Sequence, residues 1–244
     1  MCQIGYTSGA RSKPKLDWAR NLLRKISPED LLDLNYRSSS TFALFWNMLQ
    51  SRLPSTVIQS FDVFLEETGI PRMDAYKTVG SSKGSYMVSD LKQTYIFHDV
   101  PLPPPSGVFA QNYARHVIAL QKGWPVPNNV SRFTHNEKTA HTYAVSWTTQ
   151  RQCNQDVGGN FYISSYGIKV CVATDTIIVW RPKDYHGTSL PCCTPLSADD
   201  DVDDFSQVSL ALVTSPNIVG QWRRLQDKEI TLAQAEDLVA DAEH

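Results

Sequence analysis

The stretch IKVCVATDTIIVW, residues 168–180, decides the fold class of this chain. In its first half, isoleucine and valine alternate with lysine and cysteine, which is the two-residue period of a strand with one buried face. Residues 177–180 then form a continuous apolar run, which is typical of a strand buried on both faces. The stretch therefore predicts two consecutive strands of a β-sheet.

Strand patterns continue on both sides of this stretch. Residues 143–147, YAVSW, alternate in the same way, and so do residues 208–212 and part of residues 85–98. Short strands at roughly ten-residue spacing, separated by turns with Gly, Asp or Pro, are typical of an all-β sandwich or barrel. We therefore expect a β core over residues 77–216.

The chain before this core has a helical pattern instead. Apolar residues recur at helical spacing from Leu16, Ser27-Pro28 is a helix start signal, and Gly69 is a helix stop signal. These signals predict three or four packed helices over residues 15–69.

Other helices are predicted later in the chain, and they complete the expected fold class. One begins at Ser106, and two short ones, over residues 220–226 and 231–242, lie near the end of the sequence. The expected fold is α+β: a helical region (1–76) packs on the β core, and C-terminal helices (217–244) follow.

Composition and charge exclude several classes of protein. The 244 residues are 41% hydrophobic, and 23 Lys and Arg stand against 25 Asp and Glu, which excludes a basic surface over the whole chain. There is no run of eighteen apolar residues, and the polar N-terminus has no signal-peptide core, so we expect an intracellular protein that does not enter a membrane. Five cysteines without a CxxC pair argue against a disulfide framework or a zinc knuckle.

Three residues have the types needed for a facial metal triad. His135 and Glu137 form a His-x-acid triplet before a predicted strand, and His186 follows another strand much later in the chain. Two imidazoles and one carboxylate on one face of an octahedral metal leave the other positions open, which suits non-haem iron(II). A histidine at the surface, or hydrogen-bonded in the core, is the alternative, since such triplets also arise by chance.

Several words of the sequence, taken together, resemble a known family. They are PPSGVFAQNYAR (104–115), HNE (135–137), HTYAVSW (141–147), GGNFY (158–162), SYGIKV (165–170), WRP (180–182) and HGTSL (186–190). The chain is similar in these words to a fungal family, the expanded basidiomycete group related to the ten-eleven translocation and J-binding-protein dioxygenases.

The resemblance implies a fold and an activity. Such proteins have a double-stranded β-helix (jelly roll) core, and they use iron(II), 2-oxoglutarate and dioxygen to hydroxylate the methyl group of 5-methylcytosine or thymine in nucleic acid. It implies that His135 and His186 are the iron histidines and that Glu137 stands where the founding members have Asp. By analogy it also implies a nuclear location.

The sequence departs from the family pattern at three places. Glu137 is one methylene longer than Asp, residues 116–134 look inserted, and the strand around Val208 lacks the Arg that binds the distal carboxylate of 2-oxoglutarate. The inserted stretch is either a loop or a segment that a correctly spliced message would lack.

Other residues are therefore candidates for the cosubstrate and the substrate. Candidates for binding 2-oxoglutarate are Arg115, Lys169, Arg181, Thr188 and Ser189. Candidates for the substrate pocket are Tyr143, Trp147 and Phe161, for which the alternative is a place in the β core.

Two functions of different classes follow. The first is an iron(II) and 2-oxoglutarate dioxygenase acting on a methylated base. The second is a catalytically degenerate β-helix that binds nucleic acid or a protein without turnover, which the three departures and the pI of about 6.3 favour.

Overall fold

The structure is a computed structural model that describes residues 2–4, 6–10, 13–18, 27–70, 83–89, 94–101, 107–112, 134–151, 155, 158–189 and 207–231. These residues combine α-helices with antiparallel sheets, so the predicted α+β class is confirmed. They group into two compact units, one within residues 1–2 and 108–213 (the β unit) and one within residues 3–107 and 214–244 (the helical unit).

The helices and strands have the following bounds. The helices are α1 (Pro28–Arg52), α2 (Ser55–Thr68) and α3 (Pro216–Gln226), with a 3₁₀ helix at Ser164–Tyr166. The strands are β1 (Cys2–Ile4), β2 (Tyr6–Ala10), β3 (Lys13–Trp18), β4 (Lys83–Ser89), β5 (Thr94–Pro101), β6 (Gly107–Asn112), β7 (Ala144–Arg151), β8 (Phe161–Ile163), β9 (Ile168–Val170), β10 (Thr176–Trp180), β11 (His186–Thr188) and β12 (Gln207–Val213).

In the helical unit, α1 and α2 begin and end where local chemistry predicts. The Ser27 side chain accepts a hydrogen bond from the Asp30 N–H at 3.1 Å, which caps α1. Gly69 ends α2 in the left-handed conformation, with φ of 59°, and its N–H donates to the Leu65 carbonyl at 3.0 Å. The two helices share a buried aromatic contact, in which Trp46 and Phe61 meet edge to face at 5.4 Å.

The prediction of helix from residue 15 onward is wrong for its first residues. Lys13–Trp18 is strand β3, paired antiparallel with β2, and Leu16 is buried in a cluster with Leu65, Ile70 and Ile218. A few apolar residues fit both periods, and pairing with a neighbouring strand decides between them. Residues 19–26, the rest of that predicted helix, lie outside the described residues.

Two further differences concern the middle of the chain. The predicted strands of residues 85–98 are confirmed as the hairpin β4–β5, but this hairpin groups with the helical unit, where α1 packs against it, rather than with the predicted core. The helix predicted after Ser106 is wrong, because residues 107–112 form strand β6. Its sheet partners β1 and β12 are distant in sequence, so local periodicity did not reveal them.

The β unit contains two sheets, in which β7 pairs antiparallel with β10 and β12, and β8 pairs antiparallel with β9 and β11. The strand orders are β1-β6-β12-β7-β10 and β11-β8-β9. Phe161, Val172 and Ile178 form a buried cluster with partly buried Trp180, and since Ile178 and Trp180 belong to the first sheet and Phe161 to the second, the cluster joins the two. The predicted strands around Tyr143–Trp147, Ile168, Ile177 and Val208 are confirmed.

The helix predicted at residues 220–226 is confirmed as part of α3, whereas residues 232–242 lie outside the described part of the chain. Among the described helices, none has both the length and the apolar character that crossing a membrane requires.

Candidate metal centre

The backbone brings His135 and His186 side by side. The two residues form an isolated antiparallel bridge, in which each N–H donates to the other residue's carbonyl at 2.9 Å. Such a bridge joins the two ends of the segment that contains strands β7 to β10, and it makes the two histidines neighbours across the backbone. The convergence predicted for these two histidines is therefore present in the structure.

The side chains of the triad also converge. One ligand atom from each of His135, Glu137 and His186 lies within 4.8 Å of the others, and His135 Nε2 is 3.2 Å from Glu137 Oε1. Ligands at right angles on an ion, each about 2.1 Å from it, lie about 3 Å apart. The donor set and its spacing thus fit a small divalent ion, with His135 and Glu137 already at the separation of adjacent ligands.

The site is open on one side. The side chains of His135 and Glu137 are 27% and 31% exposed, whereas His186 is only 4% exposed. A metal held here would have protein behind His186 and an approach from solvent past the other two ligands.

A hydrogen bond shows that Nδ1 of His186 carries a proton. His186 Nδ1 lies 2.8 Å from the backbone carbonyl of Asp184, and because a carbonyl only accepts, Nδ1 carries the proton. In the neutral form of this ring the lone pair is on Nε2, which is then the atom available to bind a metal. This pairing of a ligand histidine with a backbone carbonyl is the usual support of a metal site.

An aromatic wall lines the inner side of His186. The rings of Phe161 and Trp180 lie 5.8 Å and 5.7 Å from the imidazole, and 5.0 Å from each other. The indole N–H of Trp180 is buried and has no hydrogen-bond acceptor among the described residues. A buried donor of this kind is costly unless a bound molecule accepts from it.

The turn before His186 contacts Glu137 as well as His186. The Glu137 N–H donates to the Pro182 carbonyl at 2.8 Å, so this turn also holds the backbone of the carboxylate ligand. Within it, Arg181 Nε donates to Asp184 Oδ2 at 2.9 Å, and the Tyr166 hydroxyl binds both side chains. The hydrogen bond with Asp184, and the charge of that carboxylate, raise the pKa of Arg181 above its ordinary value.

The candidates for 2-oxoglutarate occupy different places. Arg115 lies outside the described residues, and Arg181 is paired with Asp184. Lys169 is exposed, and strand register puts it on the opposite face of its sheet from His186, since Lys169 aligns with Tyr162 and Gly187 whereas Ile163 aligns with His186.

The two hydroxyl candidates follow His186 directly. Thr188 shares the face of His186 and aligns with Phe161. The Ser189 hydroxyl accepts a hydrogen bond from the Asn160 N–H at 3.1 Å, so it is already part of the backbone network. Of the two, Thr188 is the one that strand register places on the same face as His186.

The substrate-pocket candidates separate in the same way. Phe161 lies beside His186. Trp147 aligns with Ile177, one residue from Ile178, which packs with Phe161; neighbouring residues of a strand project to opposite faces, so Trp147 faces away from the site. Tyr143 is half-buried just before β7.

Sequence reasoning missed Trp180 and Asp184 as parts of the site. Trp180 was predicted only as a residue of a buried strand. Asp184 contacts His186 through its backbone carbonyl, and the type of a residue does not predict such a contact. Outside the triad, the Arg151 guanidinium donates to the Gln207 side chain of β12 and to the Gly158 carbonyl. Strand β12 contains no Lys or Arg, but the Arg151 cation lies beside it. These two partners of Arg151 are a side-chain amide oxygen and a backbone oxygen.

Asn160 connects the backbone around the site. It is 2% exposed, its amide donates to the Gln155 carbonyl at 2.6 Å, and its Oδ1 accepts from the Val172 N–H at 3.1 Å. The loop before β8 is thereby tied to the chain that follows β9. Asn160 occurs in the word GGNFY, but nothing in that word predicts these bonds.

Comparisons with protein-family models, with curated proteins and with solved structures found no match to this chain.

Proposed function

We propose that this protein is an iron(II) and 2-oxoglutarate-dependent dioxygenase. The observation that carries the proposal is the convergence of His135, Glu137 and His186 within 4.8 Å on a backbone bridge. Two neutral imidazoles and one carboxylate are the donor set of non-haem iron(II) oxygenases, and they leave positions for further ligands on the open side.

The residues around the triad have definite tasks in this proposal. When bound, iron(II) with 2-oxoglutarate and dioxygen supplies the oxidising power for hydroxylating a methyl group. The chain holds the metal through His135, Glu137 and His186, and it keeps water from the inner side with Phe161 and Trp180. The buried Trp180 N–H, which has no acceptor among the described residues, would be available to a bound molecule on that side.

The finer fold and the substrate belong to the same proposal. Two sheets joined by the cluster around Phe161 and Ile178 support a double-stranded β-helix, in which strands distant in sequence become neighbours. The methyl group of 5-methylcytosine or thymine in nucleic acid is the proposed target, on the strength of the sequence resemblance. A nuclear, intracellular location accompanies that substrate.

A second function is favoured by two observations. Glu137 stands where the resembling family has Asp, and strand β12 has neither Lys nor Arg. Both weaken turnover more than they weaken the fold. The alternative proposal is a catalytically degenerate domain that binds nucleic acid or a protein partner.

An anaerobic titration tests the first proposal against the second. Purified protein receives iron(II) with and without 2-oxoglutarate, and the visible charge-transfer band of the ternary complex is followed. The dioxygenase proposal expects a band that needs both ligands and is lost in Glu137→Ala. A folded protein without the band overturns it and directs the search to binding partners.

A further inference from the structure

Two backbone carbonyls of the turn of residues 181–185 each contact one ligand residue of the triad. Its Pro182 carbonyl accepts from the Glu137 N–H at 2.8 Å, and its Asp184 carbonyl lies 2.8 Å from His186 Nδ1. A shift of this turn would therefore move the carboxylate ligand and rotate the second histidine at the same time.

The side chains of Arg181, Asp184 and Tyr166, which we name the turn brace, fix the turn. The Asp184 N–H donates to the Arg181 carbonyl at 2.9 Å, and the Arg181 side chain closes the same turn through Asp184 Oδ2, also at 2.9 Å. The Tyr166 hydroxyl donates to Asp184 at 3.3 Å and accepts from Arg181. The ion pair and the hydroxyl thus form a closed set of contacts.

The brace is anchored to the 3₁₀ helix beside it. The Tyr185 N–H donates to the Ser165 hydroxyl at 2.7 Å, and the Ser165 N–H donates to the Tyr185 carbonyl at 3.3 Å. Tyr166 follows Ser165 directly, so the turn is held by main chain on one side and by the Tyr166 side chain on the other.

Because the ion pair is partly exposed, we expect it to contribute more to the geometry of the site than to the stability of the fold. The Arg181 side chain is 40% exposed, and exposed ion pairs contribute little to the stability of a fold. Orienting a carbonyl toward a ligand histidine, in contrast, affects metal affinity directly, because the direction of the Nε2 lone pair follows the direction of the Nδ1–H bond.

We propose that Arg181, Asp184 and Tyr166 are positioning residues of the metal centre: they hold the Asp184 and Pro182 carbonyls in place and thereby orient His186 and Glu137. The inference rests on the proposed metal site. It gives Arg181 a role other than binding the cosubstrate, since its guanidinium already binds Asp184.

Cobalt(II) is a suitable probe, because its visible absorption reports the geometry of its ligands and its titration gives an affinity. We expect Arg181→Ala and Asp184→Ala each to weaken cobalt binding about ten-fold and to change the spectrum. We expect the double variant to be no weaker than either single one, because both changes remove the same contact. Arg181→Lys, which keeps a charge opposite Asp184, should restore part of the affinity.

Two controls separate the brace from general effects of charge. Lys183→Ala removes an exposed cation from the same turn, and Arg224→Ala breaks an exposed ion pair with Glu229, 3.3 Å long, in the helical unit. Neither should change cobalt affinity. Should Arg181→Ala fail to fold, Tyr166→Phe, which removes a single hydroxyl from the brace, replaces it with the same expected direction.

His186→Ala distinguishes the failure of this inference from the failure of the site. If His186→Ala leaves cobalt binding unchanged, the metal centre is wrong and the inference falls with it. If His186→Ala abolishes binding, while the brace variants bind like Lys183→Ala with an unchanged spectrum, the inference alone is overturned.

Discussion

His135 and His186 exchange a pair of backbone hydrogen bonds, each 2.9 Å long, although they lie on segments far apart in the sequence. The backbone positions of the two histidines are therefore determined by main-chain hydrogen bonds, whereas the orientation of the His186 ring also depends on its Nδ1 contact with the Asp184 carbonyl. Changing either side chain should leave the bridge in place.

Removing either histidine should abolish metal binding without unfolding the protein. We expect His135→Ala and His186→Ala to lose iron(II) binding in equilibrium dialysis, because each removes one of the triad's ligands. His98→Ala, which changes an exposed histidine of β5, is the matched control and should bind as the wild type does. Equal retention of iron in all of these variants would contradict the site.

Metal binding should quench the fluorescence of Trp180. Its ring lies 5.7 Å from His186, within the short range over which a bound cobalt(II) or iron(II) ion quenches an indole. Trp180→Phe should bind cobalt but show a smaller loss of emission on titration. Trp147→Phe, on the other face of the sheet, should keep the full quenching, and the same loss in both variants would refute the placement.

His141 should make the fold less stable in acid. Burial lowers the pKa of His141 from 6.5 to about 3. Between these two values the unfolded chain binds a proton that the folded chain does not, so stability is complete above pH 6.5 and decreases as the pH falls, by at most about 1.4 kcal/mol per pH unit. Urea unfolding at several pH values gives the free energy of unfolding of the wild type and of His141→Gln. Above pH 6.5 the two values should differ by a constant amount, and below it the wild type should lose stability faster than the variant. Parallel pH profiles in the two proteins would count against it.

Asn160→Ala should destabilise the β unit by about 2–3 kcal/mol, because it leaves the buried Val172 N–H and the Gln155 carbonyl without these partners. Chemical denaturation measures the change. Asn217→Ala, at an exposed position in the first turn of α3, is the control and should cost under about 0.5 kcal/mol. Similar costs at the two positions would show that the Asn160 bonds are not important for folding.

Two glycines should respond to alanine with opposite signs. Gly167 has φ of 64°, whereas Gly220 lies inside α3, and a Cβ at either position meets no atom within 4 Å. Gly167→Ala should therefore destabilise by about 1 kcal/mol through backbone strain, and Gly220→Ala should stabilise by about 0.5–1 kcal/mol through helix propensity. Thermal or chemical unfolding gives both values, and the same sign for both would disprove the backbone argument.

Much of the candidate site was predictable as residue types but not as contacts. The triad could be proposed because imidazole and carboxylate are recognisable ligands in any sequence. The role of the Asp184 carbonyl could not, because every residue has a carbonyl and only the turn directs this one to His186. Arg181 shows the same limit: its residue type fits a cosubstrate contact, and only the structure shows its ion pair with Asp184.

The sequence by itself determined the features that depend on neighbouring residues. These are the start of α1 at Ser27, the end of α2 at Gly69, and the strands β7, β10 and β12. The first two depend on a capping side chain and a left-handed glycine, and the strands depend on an alternating or apolar pattern, all of which are local properties. The tertiary structure alone decided that residues 13–18 and 107–112 are strands, and it alone showed the backbone contacts that place His135 beside His186. Sheet pairing is a contact between distant segments. Its energy depends on the partner strand, which the local sequence pattern does not identify.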